Sequence, residues 1–320
     1  MRRRLLLEAA ALTPCLSWAA PVALRLWVPA SPGGGWDTTA RALGQALLAS
    51  EAAHEVRYVT RSGAAGTIGL AQFANETIGN PQALMVMGSV MLGGILSGRP
   101  PVDLRSVTPL ARLTSEYNVI VVPPHSPHLS VDDLLAAFRA DPDALRWGGG
   151  SRGATEHIVL GLLAKDLGLS VSAVNYVPFR GGGEAAAALM SGAVMAASSG
   201  ISEFLPHIAA GRMRALAVTA PQRVPGLEVP TLRERGHDVV MGNWRGVYGA
   251  AGLSRAQQHR LLAQLEAAVA SSAWRQALQQ HHWQDDWLAG EAFGQFVAQD
   301  FARMASVMSA AGLRPSAPQR

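Results

Sequence analysis

Pro32-Gly33-Gly34-Gly35-Trp36-Asp37 stands between Leu24 to Val28, an apolar run with strand character, and Thr38 to Leu48, which carries helical spacing. A strand, a glycine-rich turn and a helix start, in that order, form the unit from which open α/β sheets are built. The unit recurs twice. Gly148-Gly149-Gly150-Ser151-Arg152-Gly153-Ala154-Thr155 follows a strand at Leu145 to Trp147 and precedes a helix at His157 to Asp166. Arg180-Gly181-Gly182-Gly183-Glu184 follows Val174 to Val177 and opens a helix running to Met190. A helix N-terminus offers free N–H groups and partial positive charge, and glycine lets a ligand approach the backbone. One such loop is equally well an ordinary capped turn. Three of them, gathered beyond the carboxyl ends of strands, point to a small anion held largely by main chain.

Working outward, the same rhythm gives strands at Val56 to Val59, Leu84 to Met87, Val119 to Val122 and Ala215 to Thr219, and helices at Thr67 to Asn75 and Val131 to Arg139. Strands alternating with helices at this spacing predict parallel sheets. Met85, Met87 and Met91 read as core. The C-terminal third changes to helices at Arg255 to Ser271, Trp274 to His281 and Glu291 to Ala310, with a tail after Leu313 expected to fray. Asn118 to Pro124 and Asn243 to Gly249 are suited to carry the chain between two lobes. The expected division is residues 20–120 plus 247–320 as lobe I and 121–246 as lobe II, after a leader at 1–19.

That leader rests on Arg2-Arg3-Arg4, the apolar run from Leu5 and the small residues flanking Trp18, which together lay out a secretory signal peptide cleaved after Ala19. The run is too short and broken to span a membrane, so the mature protein is expected in the periplasm. Cys15, the only cysteine, lies in the leader, which excludes disulfides, a thiolate nucleophile and a cysteine metal site from the mature chain. The net charge of +4 is spread over scattered arginines, with no basic stripe, so nucleic acid is not an expected partner.

Other chemistries fit less well. A P-loop needs Gly-Lys-Ser/Thr, yet Lys165, the sole lysine, is far from every glycine loop, and the dinucleotide spacing fails at Gly33 to Gly35. No cofactor is expected. Gly149-Gly150-Ser151-Arg152-Gly153 does fit the Gly-x-Ser-x-Gly elbow of serine hydrolases, with Asp238 and His281 or His282 as formal partners. That hydrolase is the alternative reading; the preferred one makes Ser151 a hydroxyl donor to a ligand carboxylate. His281-His282 beside Asp285-Asp286 is too loosely spaced for a metal set. His157, near its helix start beside the Gly148 loop, is equally suited to touching ligand and to capping or packing.

At these residues the chain resembles the substrate-binding proteins of tripartite tricarboxylate transporters, the Bug family. The resemblance runs from about Leu24 to Leu313. It rests on the Pro32 loop with Ala40-Arg41, on Arg61 to Gly69, on Gly150-Ser151 with His157, and on Val177 to Gly181. Leu205 to Gly211, Arg214 to Thr219 and Val229 to Leu232 complete the set. It implies a bilobal α/β periplasmic-binding-protein (Venus flytrap, type II-like) fold, with two sheets and a ligand cleft between the lobes. It also implies no catalytic activity, a small carboxylate ligand, a monomer, and membrane permease subunits as partner; a sensor role beside a signalling receptor is a further alternative. Carried over, the first lobe offers Gly34, Gly35, Trp36 and Asp37, and the second Ser151, Gly153, Ala154, Thr155 and Gly181. Ser89, His157, Arg180 and Ser199 complete the expected ligand-binding set. Trp36 and Gly242 to Gly246 resemble the citrate-binding branch. Relatives often carry acids at positions matching Met195 and Ser199; their absence here is expected to favour a di- or tricarboxylate without an amino group, with Arg180 as counter-charge.

Overall fold

The computed structural model describes residues 22–313. The leader, its Cys15 and the tail beyond Leu313 lie outside the described residues.

Each glycine loop does end a strand and start a helix. β1 (Val22–Val28) leads to α1 (Gly35–Ala49), β5 (Trp147–Gly149) to α5 (Thr155–Asp166), and β6 (Tyr176–Pro178) to α6 (Gly182–Met190). β1 is flanked by two parallel neighbours, β2 (Ala53–Thr60) and β3 (Ala83–Gly88). α2 (Thr67–Glu76) and α3 (Ser89–Gly98) follow those strands. In the second half, β5 lies parallel to β6 and to β7 (Ala196–Gly200).

The long strand β4 (Thr108–Val122) joins the two halves. Its first part runs antiparallel to β9 (Gly242–Gly249), which returns to pair with β3, and to β10 (Gln284–Ala289). From Asn118 onward it pairs with β7 and with β8 (Arg214–Val218) instead. The sheets are therefore mixed, not parallel as the strand–helix rhythm predicts. The long crossing strands β4 and β9 are the reason, since both run against their neighbours. Only Val119 to Val122 of β4 is legible in sequence, because Pro109 and the run Thr114-Ser115-Glu116 break the apolar signature. Thr114 and Glu116 are nonetheless buried.

The helices are set by local chemistry. Ser130 with Asp133 and Ser254 with Gln257 form capping boxes that start α4 (Val131–Ala140) and α8 (Arg255–Ala270). α7 (Ile201–Ala209) follows β7; α9 (Ser272–His281) and α10 (Gly290–Ala310) end the chain. α1 packs on α8 and α9, so the C-terminal helices close the core of the first half. Met85, Met87 and Met91 are fully buried there, with Trp27 edge-on to Phe73 at 5.7 Å. A second core, around Val119, Leu189, Val194 and Phe204, lies in the other half.

Candidate ligand-binding cleft

The three glycine loops converge on one cleft between the halves. One side is the N-terminus of α1 (Gly34, Gly35, Trp36) with the turn Ser62 to Gly66; the other is Gly150, Ser151 and Ala154 with Arg180 to Gly182. Its volume is about 100 Å³, below the ~300–1,000 Å³ usual for sites that take drug-sized molecules, so only a small ligand fits. Ala64 (φ 47°) and Ala65 (φ 53°) hold the Ser62 turn in left-handed backbone, a conformation that costs about 1–3 kcal/mol per residue and clusters at ligand sites.

Beneath α1 lies Arg245, on β9. Its side chain is 1% exposed and is paired with the fully buried Glu116 of β4. Nη1 donates to the Thr39 hydroxyl at 3.3 Å, and the guanidinium sits 5.2 Å from the Trp283 ring. Among the described residues its Nε has no hydrogen-bond partner, and the residue lines the cleft. Burial pulls its pKa down to about 9. Glu116 Oε2 also accepts from the Ser202 amide at 3.0 Å, tying β4 to the start of α7. Gly35 must be glycine for this packing, because a Cβ there would stand 2.5 Å from Arg245 Nη2.

Two further carboxyl groups face the cleft. Glu203 Oε1 accepts from the amides of Gly35 (3.1 Å) and Gly182 (3.2 Å), while its Oε2 accepts from the Ser199 hydroxyl at 2.6 Å. Burial raises its pKa against those donors. Glu156, beside the Gly150 loop, is raised to about 7, first by burial and then by the Glu203 charge. The acid missing at Met195 and Ser199, expected to leave the ligand free of like-charge repulsion, is thus replaced by acids from elsewhere in the fold. Ser199 lies on β7, four residues before Glu203 on α7, and the longer side chain delivers a carboxylate to the cleft.

Of the residues singled out from sequence, Gly34, Gly35, Trp36, Ser151, Ala154, Arg180 and Gly181 line the cleft. The others support it from behind. Asp37 accepts from the Gly33 amide and from Arg41 Nε, both at 2.9 Å, and so fixes the loop. Ser89 donates to Asn243 Oδ1 at 2.9 Å, and it is Asn243 that reaches the cleft. Thr155 is buried, accepting from Asn118 Nδ2 at 3.2 Å. His157 Nδ1 accepts from the Gly153 amide at 3.1 Å, and its ring stacks on Tyr176 at 4.4 Å. Arg180 has a largely exposed side chain and stands at the mouth, its amide bonded to Glu184. The sequence reading missed Glu156, Glu203, Asn243 and Arg245 as site residues. Asn243 and Arg245 sit in a stretch that reads from sequence as a crossover and, by resemblance, as a mark of the citrate-binding branch, without naming either as a ligand contact.

The formal hydrolase partners are engaged elsewhere. Ser151 Oγ donates weakly to the Phe179 carbonyl at 3.4 Å, Asp238 pairs with Arg233 at 2.6 Å, and His281 stacks on Trp283. Asp286 is bound to Arg112. Among the described residues no group of three or more His, Cys, Asp or Glu is placed to hold a metal.

His157 gives the cleft a pH signature. Burial first, then Arg152, lowers its pKa to about 4, below the ~6.5 of an unfolded histidine. As pH falls, the unfolded chain takes the proton first, so stability is lost between pH 6.5 and 4 and levels off below. The loss at pH 5 is expected to be on the order of 1–2 kcal/mol. His157→Gln should flatten this acid limb in melting curves recorded from pH 7 to 4; an unchanged limb would place the loss on another group.

A cleft between two α/β halves, crossed by long strands and lined by helix N-termini, defines a two-lobed solute-binding protein. The chain belongs to the tripartite tricarboxylate transporter family receptors, whose profile matches residues 40–313. Protein BugT of Bordetella pertussis is 29% identical over 234 residues, covering 72% of this chain and 71% of its own. The periplasmic binding protein BugD shares the fold at 22% identity and TM-score 0.83, over 92% of this chain and 99% of that one. An R. palustris protein solved with adipate does so at 24% identity and TM-score 0.85, over 93% and 100%. Among the described residues no helix is long and apolar enough to cross a membrane.

Proposed function

We propose that this protein captures a small di- or tricarboxylate in the periplasm and delivers it to the membrane permease of a tripartite tricarboxylate transporter. One observation carries the reading: the N-termini of α1 and α6 converge on a single carboxylate, that of Glu203, next to the buried cation Arg245. A site that seats a carboxylate through main-chain amides has the donors a ligand carboxylate needs. The adipate bound by the R. palustris relative supports a dicarboxylate. The mechanism is closure: residues 20–120 plus 247–320 and residues 121–246 act as two lobes of a monomer, each holding part of the anion.

Thermal unfolding of protein stripped of ligand by refolding, against mono-, di- and tricarboxylates, tests this. A true ligand at a hundred times its dissociation constant stabilises by about 2.7 kcal/mol, roughly 5 °C. Shifts with amino acids or nicotinate and none with citrate-like acids would overturn the ligand class.

A further inference from the structure

Glu203 is placed as no ordinary surface glutamate is. It sits on α7, yet its carboxylate reaches the first amides of two other helices, one from each side of the cleft. Both helices are long enough to present a genuine N-terminal dipole, with fifteen residues in α1 and nine in α6. Ser199 fixes the second oxygen at 2.6 Å. The nearby Arg245, 1% exposed, lines the same space, and among the described residues its buried Nε has no hydrogen-bond partner. Two dipoles, a hydroxyl and a neighbouring cation make a seat for an anion, and the seat is already taken by a side chain of the protein itself.

We infer that Glu203 is an internal occupant of the anion seat and determines the specificity of the cleft: an external carboxylate enters that position only in exchange for it. This deepens, and rests on, the reading of the cleft as a carboxylate site. The exchange follows from charge and geometry. Two carboxylates cannot share the same pair of amides, and Glu156 adds a third acid beside them. While Glu203 holds the Gly35 and Gly182 amides it bridges the two sides of the cleft. Ligands that leave Glu203 in place are held by the other donors, on the Ser62 and Gly150 loops and at Arg180.

Chemical rescue tests the inference. Glu203→Ala empties the seat while keeping a good helix former on α7; Glu203→Gln keeps an acceptor for both amides. Melting temperatures of wild type and both variants are compared with and without 100 mM sodium acetate, with sodium chloride as ionic-strength control. The expected result is that Glu203→Ala melts lower than wild type and regains about 2 °C or more with acetate. Wild type and Glu203→Gln should not respond. In calorimetry, Glu203→Ala should also bind malate at least tenfold more tightly than wild type does. Equal acetate responses in wild type and Glu203→Ala, or none in either, overturn the internal occupant. That outcome beside a normal carboxylate shift in wild type leaves the proposed function standing. Acetate rescue in Glu203→Ala while no acid shifts wild type does the reverse.

Discussion

Arg245→Met is expected to lower folding stability by about 3–5 kcal/mol, because it strands the Glu116 carboxylate at 0% exposure without its counter-charge. The loss is electrostatic, since methionine restores most of the apolar volume of the arginine stem. Adding Glu116→Gln should therefore return most of the stability: a neutral amide still accepts from the Ser202 amide, now at no cost of a buried charge. Urea unfolding of the wild type, both single variants and the double variant gives the coupling energy directly. Carboxylate affinity should stay low in the double variant, because the cation lining the cleft is still absent. A loss of less than 1 kcal/mol in Arg245→Met would mean that the Arg245–Glu116 pair contributes little net stability. Full binding by the double variant would confine Arg245 to a structural role.

Gly93→Ala is expected to cut ligand affinity at least tenfold while leaving the melting temperature within about 2 °C of wild type. In the interior of α3, alanine is favoured over glycine by about 0.5–1 kcal/mol on propensity alone. A Cβ at Gly93 would overlap the carbonyl oxygen of Gly153, across the cleft on the Gly150 loop. Gly153 is packed as closely from its own side: it adopts φ +82°, and a Cβ there would meet the Ser97 hydroxyl and the Gly93 carbonyl. The two backbones can touch only because both residues lack side chains. Alanine would hold the lobes apart, so the penalty falls on the closed arrangement, in which these backbones touch, and not on the folding of either lobe. Small-angle scattering should show the variant remaining expanded with malate or citrate under conditions where wild type compacts. An unchanged affinity would mean that closure does not bring α3 onto the Gly150 loop.

Much of this architecture is written locally. The loops at Pro32, Gly148 and Arg180 announce their strands and helices because glycine and helix-start chemistry act over a few residues. Met85, Met87 and Met91 are legible as core for the same reason: the spacing of apolar side chains is a property of one element. β9 was harder. Gly242 to Gly249 carries Asn243, Trp244, Arg245 and a third glycine, Gly246, a composition that reads as a crossover, yet it is a central strand between β3 and β4. Its polar residues are tolerated there because each is met from afar: Asn243 by Ser89, the Trp244 indole by Asp300 and Arg245 by Glu116.

The candidate cleft divides along the same line. Sequence alone determined where the backbone amides of the site would be, because a glycine loop followed by a helix start fixes free N–H groups without help from the rest of the chain. Only the tertiary structure decided which charges face those amides. Glu203 reaches Gly35, 168 residues away in sequence, and Glu116 pairs with Arg245 across two neighbouring strands. Such partners are chosen by the packing of lobe on lobe and strand on strand. A carboxylate's effect depends on its burial and on what lies within a few ångströms, and neither quantity exists until the chain has folded.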